Sequence, residues 1–397
     1  MTPDPFDLNL RHLRSLSAIA ARGSMSAGAE AVGLSQPALT QGLAKLERQL
    51  DVALFDRRSD GVRATAAGQV LAQRTEMAFA HLAHAARSAM RGMQGLARPE
   101  QAMTATQLNA FLHLADTGSF VGAAHATGLS QPALHRAVRD LEVICALPLV
   151  ERSGRGVVLT GAGRKLARGV RLAAKEIAAA IVETRPDPAD GGSRITIGAM
   201  PMCCADLLPR ALTGLYAVAP HITTDIVEGL SIDLINPLRD GVLDLVIGAL
   251  DDDPPADIVQ QRLYIDMPVI VARAGHPLAR VARPTLEELA AFPWITDRAA
   301  TPLRLQWQAM FDGHALPAAP VECGTITTTQ RLLRDTDCLT LQSPAHFAPA
   351  VARGALAIIG PPLASSARPV GIITRLGWRP TQAQALLVVQ LKRAARA

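Results

Sequence analysis

The sequence predicts a multidomain chain: two α-rich winged helix-turn-helix domains followed by an α/β half. The block Gly-Leu-Ser-Gln-Pro-Ala-Leu occurs at residues 33–39 and again at 128–134. The 95-residue offset holds without a gap beyond the heptamer, pairing Gly23-Ser24 with Gly118-Ser119, Leu46-Glu47 with Leu141-Glu142, Arg57 with Arg152 and Gly68 with Gly163. Self-similarity of that length means one folded unit made twice. Asp187–Ser193 then forms a linker of Pro, Gly and acid without apolar periodicity, and beyond it strands alternate with helices.

In the first copy Leu13, Leu16 and Ile19 recur at helical spacing up to Arg22-Gly23, and a second helix runs through Ala27–Val32 to Gly33. Ser35 is a good N-cap, and Pro37 falls in the first turn, where its missing N–H does no harm. The helix from Gln36 carries Leu39, Leu43 and Leu46 on one stripe. The second copy repeats the design with Leu108, Phe111 and Leu114, then Gly128, Ser130, Pro132, Leu134, Val138 and Leu141. Two short helices joined by a Gly-containing turn, the second well capped, make a helix-turn-helix. Leu54–Arg58 and Leu149–Ser153 each lead through a Gly to a short extended run and a Thr, the two strands of a wing. Gly42 inside the first recognition helix costs about 1 kcal/mol relative to Ala.

These units suit DNA. Ser35, Gln36, Pro37, Thr40 and Gln41 start the first recognition helix, and Ser130, Gln131, Pro132, His135 and Arg136 start the second. Gln pairs with adenine and Arg with guanine in the major groove, so the two helices prefer different bases. Arg57, Arg58, Arg63, Arg152 and Arg155 on the wings are placed to meet phosphates or the minor groove. Residues 1–192 hold 22 Lys/Arg against 17 Asp/Glu, whereas residues 193–397 hold 18 of each, so the net +5 sits with the repeats. One copy turned into a spacer or dimerisation unit is the alternative.

A long helix follows each wing. Leu166, Val170, Ala173, Ile177 and Ala180-Ile181 approach a heptad seam, matched in copy one by Leu71, Ala78, Leu82, Ala85 and Ala89. A surface helix packed on its own wing unit is the competing reading. In the second half, Ile195–Gly198, Thr223–Val227 and Asp244–Gly248 read as strands. Leu207–Val218 and a segment from Leu234 read as helices.

At 397 residues and 49% hydrophobic, the chain can bury several cores. It shows no signal peptide and no apolar run long enough to span a bilayer, which points to a cytoplasmic protein. Five cysteines without a CxxC pair argue against a disulfide framework or thiolate metal site. No HExxH, P-loop, GxSxG or Rossmann fingerprint is present, so neither catalysis nor a cofactor is expected. Vicinal Cys203-Cys204 raises a thiol sensor as an idea, against the simpler reading of two small core residues.

The second copy resembles the LysR-type transcriptional regulators through Gly118-Ser119-Phe120 with Ala123-Ala124, Leu129–Leu134, Leu141-Glu142 and Leu159-Thr160-Gly161-Ala162-Gly163. Members normally carry one such module. Copy one departs in having Leu16 and Met25 where copy two has Phe111 and Phe120, and copy two has Cys145-Ala146 where Leu-Gly is typical. The α/β half is similar to the family's effector domain through Leu238–Gly248, His276-Pro277-Leu278-Ala279, Leu286–Leu289 and Pro293-Trp294-Ile295. The resemblance implies two lobes like those of type 2 periplasmic binding proteins. The boundaries expected are 1–68 and 103–163 for the winged domains, and 69–98 and 164–185 for the linker helices. Lobe one takes 193–270 and 360–397, and lobe two 271–359.

The same resemblance implies a cleft. Met200, Pro201, Met202 and Cys203 precede a helix whose amides face it, opposite Thr296, Thr327 and Thr328, with Gly248-Ala249-Leu250 as a closing loop. Many members have Ser or Thr where this chain has Met202 or Cys203. In the family the linker helix pairs two subunits. The implied protein is a sequence-specific regulator controlled by a small-molecule effector. Its implied partners are double-stranded DNA, the effector, RNA polymerase and itself, as a homodimer or homotetramer. An architectural DNA-binding protein whose α/β half only oligomerises is the alternative.

Overall fold

The computed structural model describes residues 3–59, 61–90, 96–154, 156–185, 193–299 and 301–396. Arg155 and the expected linker, apart from Ser193, lie outside them. The first repeat comprises α1 (Leu10–Arg22), α2 (Met25–Ala31), α3 (Gln36–Leu50), the hairpin β1 (Phe55–Arg58) and β2 (Gly61–Ala64), and α4 (Ala66–Ala89). The second comprises α5 (Ala105–Thr117), α6 (Phe120–Thr127), α7 (Gln131–Cys145), the hairpin β3 (Val150–Ser153) and β4 (Gly156–Leu159), and α8 (Gly161–Glu183).

 Both linker helices start earlier than expected, at Ala66 and Gly161, and the first ends at Ala89 well short of residue 98.

The repeated residues are the ones that tie each hairpin to its helices. Gly23 and Gly118 end α1 and α5 in the left-handed region (φ 63° and 61°). Their carbonyls accept the amides of Val62 and Val157 at 3.0 and 2.9 Å. Ser35 and Ser130 cap α3 and α7, each accepting the amide three residues on. The carboxylates of Glu47 and Glu142 accept the amides of Leu54 and Leu149, both at 2.8 Å. Gly42 is explained by packing: a Cβ there would lie 2.3 Å from the His12 ring, so the helix-propensity cost admits α1.

The two repeats are not independent bodies. One apolar cluster runs from Leu13, Leu39 and Leu54 of the first through Leu71, Leu82, Leu166 and Ile177 to Phe111, Leu141 and Leu149 of the second. Apart from half-buried Ala89, the seam positions of α4 and α8 are buried, and the two helices pack on each other within the chain. The resemblance implied a second subunit as the partner of this helix; within the chain α8 packs against α4.

The α/β half opens with β5 (Arg194–Ala199), the short turn α9 (Pro201–Cys204), α10 (Leu207–Val218), β6 (Thr223–Glu228), α11 (Ser231–Arg239), β7 (Leu245–Ala249) and β8 (Ile258–Asp266). The second lobe follows with β9 (Val269–Arg273), α12 (Leu286–Ala290), β10 (Ile295–Thr296), α13 (Pro302–Met310), β11 (Val321–Glu322) and α14 (Ile326–Asp335). It continues through β12 (Thr340–Gln342), α15 (Ala348–Ala352) and β13 (Leu356–Ile359), before β14 (Arg368–Arg375) and α16 (Gln382–Ala394) return to the first lobe. The first sheet has the order β6-β5-β7-β14-β8, parallel around β5 and antiparallel along β14. The second has the order β12-β9-β13, all antiparallel. Separate apolar clusters fill the two lobes. Because Val269 and Ile270 belong to β9, the chain crosses at Met267-Pro268, slightly before the expected boundary at 270. Asp266 pins both crossings: Arg368 donates to its Oδ2 at 3.0 and 2.9 Å, and Ser343 Oγ to its Oδ1 at 2.8 Å.

Candidate nucleic-acid interface and effector cleft

On α3, Gln36, Pro37 and Gln41 are exposed beyond the Ser35 cap, and on α7 so are Gln131, Pro132, His135 and Arg136 beyond Ser130. Two side chains are partly committed inside the fold. Thr40 Oγ1 donates to the Gln36 carbonyl at 2.9 Å, and Ser26 Oγ donates to Gln36 Oε1 at 3.0 Å. His135 stacks on Phe120, with ring centroids 3.7 Å apart, so it braces α6 against α7 as well as facing solvent. Arg57, Arg58 and Arg152 stand exposed on β1 and β3, and Arg63 on β2. In the first repeat, recognition helix and wing enclose a groove of about 530 Å³ lined by Gln36, Thr40, Arg57 and Arg58. A polar helix face beside flanking guanidiniums suits base edges and phosphates respectively.

The expected cleft residues divide. Met200, Met202 and Cys203 are buried in the first lobe's core, and a Cβ on Gly248 would lie 2.3 Å from the Met200 sulfur. Gly248-Ala249 is the end of β7 rather than a closing loop, leaving only Leu250 beyond it. The turn Pro201–Cys204 is four residues long, too short to act as the anion-holding helix anticipated. Thr296 is buried and accepts from Arg304, whereas Thr327 and Thr328 are exposed at the start of α14. Burial pushes the Cys203 thiol up to about 12 and that of Cys204 to about 11. Both stay protonated at neutral pH, which removes the reactivity a thiolate sensor needs.

Pro201 apart, the lobes meet at residues that sequence reasoning missed. His346 Nε2 donates to the Pro201 carbonyl at 3.0 Å, bridging the lobes, while its Nδ1 is buried without a partner among the described residues. Burial lowers the His346 pKa, so the neutral ring carries its proton on Nε2 and presents a bare acceptor at Nδ1. Burial also raises the Asp297 pKa, against a hydrogen bond from Gln342. The signal for this cluster lay in tertiary contacts, since Pro201 and His346 are 145 residues apart.

The first lobe rests on the linker pair. Lys175 Nζ lies 2.5 Å from Asp244 Oδ1, and Arg168 Nε lies 2.7 Å from Asp240 Oδ1. Arg74 of α4 donates to Glu176 and Glu183 of α8 and to the carbonyls of Arg379 and Pro380.

Residues 189–396 match the LysR substrate binding domain, and residues 10–69 and 105–164 each match the bacterial regulatory helix-turn-helix of the lysR family. The HTH-type transcriptional regulator GalR of Pseudomonas putida is 30% identical over 389 residues, 97% of this chain and 96% of that relative. PcaQ of Agrobacterium fabrum is 27% identical over 299 residues, 75% of this chain and 96% of PcaQ. Two solved structures share the fold: full-length OxyR from Pseudomonas aeruginosa has a TM-score of 0.57 at 21% identity, covering 73% of this chain and 98% of its own. ArgP from Mycobacterium tuberculosis has a TM-score of 0.59 at 18% identity, covering 73% and 96%. The chain belongs to the LysR family of bacterial regulators, DNA-binding proteins of transcription whose action is controlled through an effector-binding domain.

Proposed function

We propose that both repeats read DNA, so that the operator is compound, and that a small molecule held between the lobes controls the binding. The observation that carries this is the preserved build of the two recognition helices: each has a Ser cap, a first-turn Pro and an exposed polar face beside a basic hairpin. Ser35, Gln36, Pro37, Thr40 and Gln41 serve the first head, with Arg57 and Arg58 on phosphates. Ser130, Gln131, Pro132, His135 and Arg136 serve the second, with Arg152 and Arg155. The two matches to the family's helix-turn-helix support the reading.

For the effector, the reading keeps Pro201 and Thr296 as candidate contacts, with Thr327 and Thr328 at the rim. The buried acceptor His346 Nδ1 favours a ligand that donates a hydrogen bond there. The chain acts by binding rather than by catalysis, in the cytoplasm at the chromosome. It works as a homodimer or homotetramer, with RNA polymerase as the target of its regulation.

The test is a footprint on the DNA upstream of its own gene, with Gln36→Ala/Gln41→Ala and Gln131→Ala/Arg136→Ala compared. A footprint shortened from a different end by each pair is expected. Insensitivity to the first pair would make the first repeat a spacer and overturn the compound operator.

A further inference from the structure

The geometry points to a chain that supplies both members of the linker-helix pair itself, so that one chain presents a complete pair of DNA-reading heads. The inference rests on the reading that both repeats bind DNA. α4 and α8 cross antiparallel: Lys165, early in α8, donates to the carbonyl of Ser88, late in α4, at 3.2 Å. Arg74, early in α4, reaches Glu183 at the end of α8 at 3.0 Å. The 95-residue offset makes this crossing nearly two-fold, because it equates Arg74 with Gly169, His81 with Glu176, Ala85 with Ala180 and Ser88 with Glu183. Gly169 lies tight against Ala85 and His81, where a Cβ would be 2.2 Å from Ala85 Cβ and 2.9 Å from the His81 carbonyl. At the symmetry-related place Arg74 is paired with Glu176 and Glu183, the counterparts of His81 and Ser88. The short turns ahead of the repeats follow the same symmetry, Pro5–Asp7 packing on α8 and Pro99–Gln101 on α4.

The crossing also dictates which helices pair. Two copies of α4 would set each Arg74, 1% exposed in the present pair, against His81 and Ser88 with no carboxylate. Two copies of α8 would set Glu176 against Gly169 with no guanidinium in the place of Arg74, leaving only Lys165, which meets residue 88 in the present pair, to face Glu183. A buried charge left without its partner is strongly unfavourable, so like-with-like pairing is disfavoured and α4 selects α8. Since the exposed faces of α3 and α7 differ, the two heads of one chain read unlike half-sites rather than a palindrome.

The experiment joins residues 88 and 165 covalently. In full-length Ser88→Glu protein, a carbodiimide links the new carboxylate to Lys165, and the products are separated on a denaturing gel. The expected result is an 88–165 junction, identified by peptide mass, in the band of single-chain mass. The same junction in a two-chain band, or no junction, overturns pairing in cis. Adding Arg74→Glu is expected to lower the junction yield at least tenfold while residues 193–396 keep their own melting transition. An unchanged yield overturns the role assigned to Arg74, and Arg74→Lys, which keeps the charge, serves as the folded control. The readout needs no DNA: a single-chain junction combined with a footprint blind to one repeat would sink the functional reading and leave the pairing intact.

Discussion

Replacing Arg74 by Met keeps a long flexible stem in the α4–α8 seam and deletes the guanidinium. Four partners are lost: Glu183, Glu176 and the carbonyls of Arg379 and Pro380. Breaking a fully buried ion pair from one side costs about 3–5 kcal/mol. The Glu176 and Glu183 side chains keep 12% and 18% exposure, so water recovers part of their solvation. That discount brings the expected loss to about 2–3 kcal/mol. For a melting unit of this size, such a loss lowers Tm by roughly 5–10 °C. Differential scanning calorimetry with hydrogen exchange resolves it, the loss of protection falling on α4 and α8 and on residues 379–380. A change under about 1 kcal/mol, or one spread evenly over the α/β half, would refute the view that this cluster holds the heads together.

Further outcomes follow from individual contacts. Arg136→Ala should weaken operator binding by roughly 1–3 kcal/mol while random-sequence DNA loses much less; equal losses would mean that Arg136 touches only phosphate. Gly163→Ala puts a Cβ 2.0 Å from the Leu149 carbonyl, which is main chain that already accepts the Thr160 amide. Overpacking there should cost about 1–3 kcal/mol, read by urea denaturation, and a neutral substitution would mean that the hairpin moves freely. Burial lowers the pKa of His12, His81, His276 and His346 from 6.5, so the unfolded chain takes up these protons first. Stability from these groups is therefore full above pH 6.5 and declines as pH falls below it, and a Tm higher at pH 5.5 than at pH 7.5 would contradict the sign. With thiols pushed up to about 12 and 11 at Cys203 and Cys204, brief peroxide treatment should leave DNA affinity unchanged; a drop that thiol reductant reverses would contradict it.

The parts of the fold governed by local chemistry were legible in the sequence. The span Leu207–Val218 was read as a helix and is one, and the Ser35 and Ser130 caps stand where their side chains meet the third amide. A repeat offset reveals that two units share a fold but carries nothing about how they pack on each other. The available signal was Arg74 interrupting an apolar seam at the position that Gly169 occupies in the other copy. At the cleft, Met200, Met202 and Cys203 looked like lining because they follow the first strand, yet their apolar side chains turn into the lobe's own core. The polar groups at the junction come from segments far apart in the chain, Pro201 with His346 and Asp266 with Ser343 and Arg368. No local pattern marks such meetings.

The position of Asp244 gives the cleft a short mechanical path to the heads. Asp244 is held by Lys175 of α8 on one side, and on the other its Oδ2 accepts the Thr196 amide of β5 at 2.8 Å. It is the residue before β7, whose Ile247 carbonyl accepts the Met200 amide at 2.9 Å, next to the Pro201 that His346 grips across the lobes. A ligand that competes for His346 or shifts the second lobe acts on Pro201 directly. The strand behind it is a central member of its sheet and moves as a unit rather than bending. Its far end meets α8 through Lys175 and, a few residues earlier, through Asp240 with Arg168. Because α8 is clamped to α4 by Arg74, and Arg74 also holds the Arg379 and Pro380 carbonyls, the first lobe is tied to both linker helices at once. Under the proposed function, a pair of heads borne on this one crossing turns as a unit against the α/β half, so the distance between its own recognition helices is kept. Under the proposed function, an effector that turns the first lobe re-spaces whole chains on DNA, while the two half-sites assigned to each chain keep a fixed separation.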